Sequence, residues 1–205
     1  MTRAAEEIRQ PKGKEGREGK VEQNVGRGIT VPGPPFSEPL TKRVFDLLLA
    51  TFGLVLFSPV WILISVAIYF EDGRPSLFIQ KRVGKGGEKF TAYKFRTIYR
   101  RYDREVAQGV AVHSDDKKVM RVGRVLRRTA LNELPQLLNI FRGDMSFVGP
   151  RPEPPEFITA YEKEVPNLGR IRYQIRPGLT GIAQVFGPLN LDTRNKLRYD
   201  LLYMR

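Results

Sequence analysis

The chain has 205 residues, with 35 Lys and Arg against 22 Asp and Glu, a formal net charge of +13, no cysteine and one histidine. Without cysteine there is no disulfide scaffold, thiolate zinc site, iron–sulfur cluster or thiol nucleophile, and His113 alone makes no multi-histidine metal centre. A net charge of this sign points to an anionic partner: nucleic acid, a phosphorylated substrate or acidic lipid.

Residues 1–41 read as a disordered tail. Pro11 to Gly28 is dominated by Lys, Glu, Gly and Arg, and Pro32, Pro34, Pro35 and Pro39 stiffen a linker behind it. Such a stretch buries too little apolar surface to offset its ordering entropy.

Leu47 to Phe70 then runs without a charge, with Lys42 and Arg43 before it and Glu71, Asp72 and Arg74 after it. As one straight helix it would reach about 36 Å, enough for a bilayer core of about 30 Å, so a single-pass anchor is one reading. Ser58-Pro59 breaks the run at its middle, where proline removes a helix donor and clashes with the preceding turn. Basic residues also crowd both flanks, whereas a spanning helix keeps them on the cytoplasmic side. A re-entrant pair over 42–72 keeps both flanks on one side, because each arm of about 12 residues reaches only about 18 Å. The Ser58 hydroxyl is then available to a carbonyl freed at the break, and Asp46 falls at the interface.

The period changes next. SLFIQKRV, GKGG (84–87) and EKFTAYKFRT read as a β-hairpin over 76–97. Residues 100–118 read as a polar mobile loop with His113 exposed. Val122, Val125, Leu126, Leu134, Leu137, Leu138 and Phe141 share a helical face between about 119 and 142. Pro135 splits that run into two helices with a junction near 129–135. The spacing then predicts a loop over 142–155, a short helix to about 165 ended by Pro166, and a turn plus strand over 176–185. A final basic amphipathic helix over 192–205 is capped by Asp192. Its apolar face, Leu197, Leu201 and Leu202, suits a membrane surface or packing on the domain. The class is α/β.

Several cations are placed to bind phosphate. Lys94 and Arg96 share one face of the second hairpin strand. Arg127 and Arg128 precede the helix junction, Arg151 sits in Gly-Pro-Arg-Pro, and Arg176 precedes Pro177-Gly178. Guanidinium forks match phosphate oxygens, although any one of these side chains serves equally as a solvated surface charge. Glu133, in the junction, suits a divalent cation brought in with substrate phosphates or a helix start stabilised by the dipole. Asp144 is a second candidate or a turn cap, and Asp115-Asp116 caps the helix behind it. Aromatic residues do not interleave with the arginines, and no zinc-finger or helix-turn-helix signature appears, so nucleic acid is set aside as a partner.

KRVFDLLLATFGLVLFSPVWIL, QKRVGKGGEKFTAYKFRT, RVGRVLRRTALNELPQLLNIFRGDMSFVGPRPE and RPGLTGIAQV, in this order over about residues 41–200, resemble the bacterial sugar transferases. These are the monotopic polyprenyl-phosphate phosphoglycosyl transferases, in their minimal catalytic form. The resemblance implies a re-entrant helix broken at Ser58-Pro59, held in the cytoplasmic membrane of a bacterium, and a catalytic domain over 73–205 on the cytoplasmic face. It implies transfer of a phospho-sugar from a UDP-sugar to undecaprenyl phosphate, the first membrane step of exopolysaccharide, capsule, O-antigen or glycan assembly. Membrane lipid and the two substrates are the implied partners, and a homo-oligomer is left open. Lys94, Arg96, Arg127, Arg151 and Arg176 become the phosphate binders and Glu133 the Mg²⁺ holder. The family's ping-pong chemistry starts from an Asp-Glu dyad whose aspartate attacks the β-phosphate.

The sequence departs from that pattern in two places. The dyad reads Asn132-Glu133, and a neutral amide is a poor nucleophile toward phosphorus. Three readings stand side by side: an engineered substitution that stops turnover, a natural member using another group (Glu133 or Asp144 being nearest), or a pseudoenzyme scaffold that binds without turnover. The resemblance also implies a C-terminus shortened after the RYDLLYM segment.

Overall fold

A computed structural model describes residues 37–103, 105, 112, 116–164, 172–187, 191 and 193–204. Nearly all of the tail, His113, Asp115, Pro166 and Asp192 therefore lie outside the described residues.

The uncharged run forms two helices, α1 (Leu40–Leu56) and α2 (Ser58–Asp72), bent by 58° about Phe57. Pro59 occupies the first turn of α2, where its missing N–H costs nothing. The Ser58 hydroxyl donates to the Val55 carbonyl at 2.8 Å, so the break keeps one of its freed acceptors satisfied. Among the described residues no single helix is long and apolar enough to cross a membrane, though the bent pair together passes that test. Both arms leave large apolar side chains uncovered, among them Phe52, Val55, Leu63 and Phe70.

The remaining faces of the two arms are covered by the rest of the chain. On α2, Ile64 and Ile68 join Phe95, Met120 and Leu126 in one core cluster. On α1, Ala50 joins Leu137, Ile140 and Met145 in a second. Gly53 lets α1 approach closely, since a Cβ there would sit 3.1 Å from Leu137 Cδ1. Asp46 is buried rather than interfacial: it accepts from the Phe147 amide at 3.1 Å and lies 3.6 Å from Lys42. The Phe147 amide satisfies Oδ1 and the Lys42 charge offsets the burial, while Oδ2 accepts no hydrogen bond among the described residues.

Strands β1 (Leu77–Val83) and β2 (Lys89–Phe95) form the expected antiparallel hairpin, in register from Leu77 opposite Phe95 to Val83 opposite Lys89. Gly86 (φ 72°) and Gly87 (φ 79°) supply the left-handed backbone of its turn. Helix α3 (Arg121–Arg128) leads through a 3₁₀ turn (Leu131–Glu133) into α4 (Gln136–Arg142), with Pro135 immediately before α4. The Glu71 carboxylate, at the end of α2, accepts from the amides of Arg121 (2.6 Å) and Val122 (2.9 Å) and so serves as the cap that α3 lacks locally.

Two segments differ from the sequence expectation. Residues 146–148, expected in a loop, form β3 (Ser146–Val148), which pairs in parallel with β4 (Gly178–Thr180). Side chains at Gly149 and Gly178 would collide with the facing backbone, so this pairing depends on glycines rather than on an alternating pattern. The strand expected over 176–185 stops at Thr180, and Ile182–Phe186 forms the one-turn helix α6. Helix α5 (Pro155–Glu164) precedes this region, and α7 (Thr193–Tyr203) ends the chain. On α7, Leu197 is buried, while Leu201 and Leu202 stay exposed.

Candidate active site

A cavity of about 330 Å³ opens between one face of the hairpin, the 3₁₀ turn after α3 and the Gly-Pro-Arg-Pro loop. Its volume is at the small end of the range for ligand sites, about 300–1,000 Å³. The register explains its walls. Phe78, Gln80 and Arg82 alternate along β1, so they share a face, and Lys94 lies opposite Phe78 on the same face. Asn132 and Glu133 enter from the 3₁₀ turn, Arg127 from the last turn of α3 and Arg151 from the loop.

The turn that carries Asn132 and Glu133 starts from Ala130, which has a left-handed backbone (φ 58°). For a residue with a Cβ that conformation costs about 1 kcal/mol. It is what turns the chain between α3 and α4 and points the Asn132-Glu133 pair at the hairpin.

Glu133 is the centre of charge. Lys94 Nζ lies 2.6 Å from Glu133 Oε1, and Arg151 Nη2 lies 3.5 Å from the same oxygen. Burial works to raise the Glu133 pKa, but Lys94 and Arg151 outweigh it and hold the carboxyl below its usual range. Lys94 is shifted downward, chiefly by burial, with Glu133 opposing that effect and Arg151 adding to it. Arg127 donates to Thr97 Oγ1 at 3.0 Å and to the Val112 carbonyl at 2.9 Å, and burial lowers its pKa.

Five of the seven residues proposed for catalysis, metal or phosphate line this one cavity: Lys94, Arg127, Asn132, Glu133 and Arg151. Arg96 lines the cavity, but its guanidinium is committed elsewhere. It is buried, ion-paired with Asp72, and donates to the Asp72 and Gly73 carbonyls at 3.2 and 2.7 Å. It therefore fastens the hairpin to the end of α2. Arg176 is not in the cavity. Its guanidinium pairs with Glu38 at 2.9 Å and donates to the Gly143 carbonyl at 2.9 Å. The Pro-Gly beside Arg176 gives no sign of Glu38, 138 residues away in the chain. Asp144 likewise lies outside the cavity and accepts from Asn139 Nδ2 at 3.1 Å.

Two further charged residues, Arg82 and Asp103, stand in the wall beyond those expected from the sequence. Arg82 donates to the Pro152 carbonyl at 2.8 Å and to Gln80 Oε1 at 2.6 Å, bracing the loop that carries Arg151. Burial and the neighbouring Arg151 lower its pKa, against Glu153, Glu156 and Glu133. The period-two pattern of Phe78, Gln80 and Arg82 opposite Lys94 was the available signal. Asp103 also lines the cavity, but its position in a polar loop offered no pattern to read.

The cavity is cation-rich around one central carboxylate. Among the described residues there is no group of three or more His, Asp or Glu side chains able to cage a metal. Both cationic contacts to Glu133 fall on Oε1. That donor set fits a divalent ion brought in with phosphate oxygens and water, as Mg²⁺ commonly is, rather than an all-protein cage.

Comparison with known proteins places these residues in context. The family model described as "Bacterial sugar transferase" matches residues 37–205. The chain is 38% identical over 181 residues to the UDP-N-acetylgalactosamine-undecaprenyl-phosphate N-acetylgalactosaminephosphotransferase of Aeromonas hydrophila, covering 87% of this chain and 42% of that protein. It is 47% identical over 157 residues to the UDP-glucose:undecaprenyl-phosphate glucose-1-phosphate transferase of Caulobacter vibrioides, covering 76% and 57%. It is 36% identical over 180 residues to the exopolysaccharide production protein ExoY of Rhizobium meliloti, covering 81% and 77%. The chain thus spans about half the length of the first two relatives. With the match running from before α1 to the end of α7, the chain belongs to the bacterial sugar transferase family.

Proposed function

We propose that the chain is a phosphoglycosyl transferase module that brings a UDP-linked sugar and undecaprenyl phosphate together, at the start of exopolysaccharide, capsule, O-antigen or glycan assembly. The observation that supports this most is the cavity itself, where Lys94 and Arg151 meet Glu133 and where Asn132 and Arg127 line the same space. A diphosphate needs several cations held without large reorganisation, and side chains fixed by a hairpin, a helix end and a proline-bounded loop meet that need.

In this reading Arg127 and Arg151 bind the diphosphate oxygens, and Lys94 exchanges part of its contact with Glu133 for the phosphate. Glu133 would hold Mg²⁺, and that ion would supply charge neutralisation for the diphosphate. A carboxylate at position 132 would attack the β-phosphorus, releasing the nucleoside monophosphate. An oxygen of the lipid phosphate would then displace it. Asn132 cannot supply that carboxylate, so a second reading has a specific basis: this chain binds both substrates and turns them over poorly, as a scaffold.

The bent α1–α2 pair enters the cytoplasmic leaflet and returns, with its uncovered apolar side chains in lipid and the cavity on the cytoplasmic face. The domains follow: a tail over 1–41, the membrane pair over 42–72 and the catalytic body from 73 onward. Equilibrium binding of UDP-glucose and UDP-N-acetylgalactosamine to the full chain in detergent, with and without Mg²⁺, tests the site. Saturable binding of one of them, strengthened by Mg²⁺ and weakened at least about tenfold by Arg151→Ala, is the expected result. No binding of either nucleotide sugar would overturn the proposal.

A further inference from the structure

Lys94 and Arg127 reach the active-site cavity from a strand and a helix, but Arg151 reaches it from a loop, so its aim depends on how that loop is held. Pro150 and Pro152 fix φ on either side of Arg151, and Pro152 restricts Arg151 itself to extended backbone. What remains free is the rotation of the peptide planes. Four successive carbonyls of the loop are each taken by a donor. Pro150 accepts from the Gly178 amide at 2.8 Å and Glu153 from the Val83 amide at 3.1 Å. Pro152 accepts from Arg82 at 2.8 Å, and Arg151 accepts from Arg172 Nη2 at 2.6 Å.

Three of those donors belong to β1 and β4. The fourth, Arg172, is held in turn by helix α7, where Asp200 Oδ2 lies 2.9 Å from Arg172 Nε. One guanidinium therefore bridges a carboxylate on α7 and the carbonyl of Arg151. The two side chains are only 11% and 5% exposed, and neither lines the cavity. Two charges withdrawn from water gain little stability over an apolar pair of the same volume. What this pair adds is direction, because the carboxylate fixes the plane in which the remaining guanidinium N–H groups donate.

Helix α7 meets the same stretch at two more points. Tyr203 donates to the Val148 carbonyl at 2.8 Å, and Lys196 Nζ lies 3.9 Å from Glu153 Oε1. Lys196, Asp200 and Tyr203 are four and three residues apart, so they share one face of α7. That face backs the chain at Val148, Arg151 and Glu153, from the strand that enters the loop to the residue that leaves it. No described residue of α7 lines the cavity.

We propose that Arg172 and Asp200 are positioning residues of the donor site: α7 splints the Arg151 loop, and the affinity for the nucleotide sugar depends on a helix that does not touch it. That Arg151 meets a diphosphate rests on the transferase reading above; that Arg172 and Asp200 aim it rests on these contacts alone. Without Arg172 the Arg151 carbonyl loses its donor and the peptide plane between Arg151 and Pro152 is free to turn. The guanidinium now 3.5 Å from Glu133 then loses its fixed place in the cavity.

The test uses the full chain in detergent, labelled with ¹⁵N-arginine, as Arg172→Ala and as Asp200→Asn, which keeps the side-chain shape should the alanine variant fail to fold. The NMR order parameter of Arg151 Nε, assigned by its loss in Arg151→Lys, reports how firmly that side chain is held. It should fall to the level of an exposed arginine in Arg172→Ala and part of the way in Asp200→Asn. Arg176 Nε, which donates to the Gly143 carbonyl, should stay unchanged in both and so excludes a general loosening. UDP-glucose and UDP-N-acetylgalactosamine are then titrated into the same proteins. Arg172→Ala should weaken binding about fivefold, but less than about twofold when Arg151 is already alanine, because a residue acting through Arg151 then has nothing to act on. An equal loss in both backgrounds, or an unmoved Arg151 order parameter, overturns the proposal. An Arg151 that loosens as expected, with no nucleotide sugar bound even by the parent chain, leaves the splint and removes the transferase reading. Binding by the parent chain with Arg151 unmoved in both variants does the reverse.

Discussion

Lys94 Nζ and Glu133 Oε1 lie 2.6 Å apart, bridging β2 and the 3₁₀ turn, with both side chains no more than a fifth exposed. This ion pair fixes the carboxylate that faces the cavity and keeps it ionised where burial alone would favour its neutral form. Lys94→Met should raise the Glu133 pKa and weaken UDP-sugar binding by at least about tenfold, through loss of a cation from the diphosphate site. Calorimetric titration checks this. An unchanged affinity would place the diphosphate elsewhere.

Arg151 and Arg176 looked alike in sequence, each beside a proline, and the structure separates them. Arg151 points into the cavity, whereas Arg176 ties Glu38 to the Gly143 carbonyl. Arg176→Ala should lower the unfolding midpoint by several degrees, since it leaves the nearly buried Glu38 short of a partner. Its nucleotide-sugar affinity should stay within about twofold of the parent chain. A tenfold loss of affinity with no thermal effect would return Arg176 to the binding site.

Much of the site was legible because its signals are local. The hairpin announced itself through alternation and a Gly-rich turn, and Pro135 marked the junction that presents Asn132 and Glu133. The bend at Phe57 followed from Pro59. What stayed hidden depends on partners distant in sequence. Arg96 finds Asp72, Arg176 finds Glu38, and Asp46 finds the Phe147 amide, so a cation or carboxylate that reads as functional or interfacial becomes structural. β3 and β4 are three residues each and pair in parallel across a long connection, too short for a periodic signal.

The Arg96–Asp72 pair makes a separate prediction. Asp72 also accepts from the Arg100 amide at 2.9 Å, so one carboxylate joins the end of α2 to the hairpin and to the segment behind it. Asp72→Ala leaves a buried guanidinium with only carbonyl partners and should cost about 3 kcal/mol. A scanning thermal melt in detergent should show a drop of roughly 10 °C. A shift under about 2 °C would mean that the carbonyls alone satisfy Arg96.

Asp200 on α7 pairs with Arg172 at 2.9 Å and is almost fully buried. Burial raises its pKa to about 6, with Arg172 and Lys196 opposing and Glu153 reinforcing. The folded chain then holds this proton at a pH where the unfolded chain has released it. Stability should therefore fall as pH rises from about 4 to about 6 and level off above that. Asp200→Asn removes this titration and should flatten the slope in a pH series of melts. Identical slopes in both proteins would show that Asp200 does not carry it.

In the proposed mechanism phosphoryl transfer runs through position 132 in the cation-lined cavity. Its most direct test supplies radiolabelled UDP-sugars, undecaprenyl phosphate and Mg²⁺ to this chain and to Asn132→Asp in the same membranes, and measures label in the lipid. The chain with Asn132 should give little labelled lipid and Asn132→Asp at least about a hundredfold more, because only the carboxylate can form the covalent intermediate. Equal, high labelling by both proteins, or none from Asn132→Asp with any UDP-sugar, would contradict it.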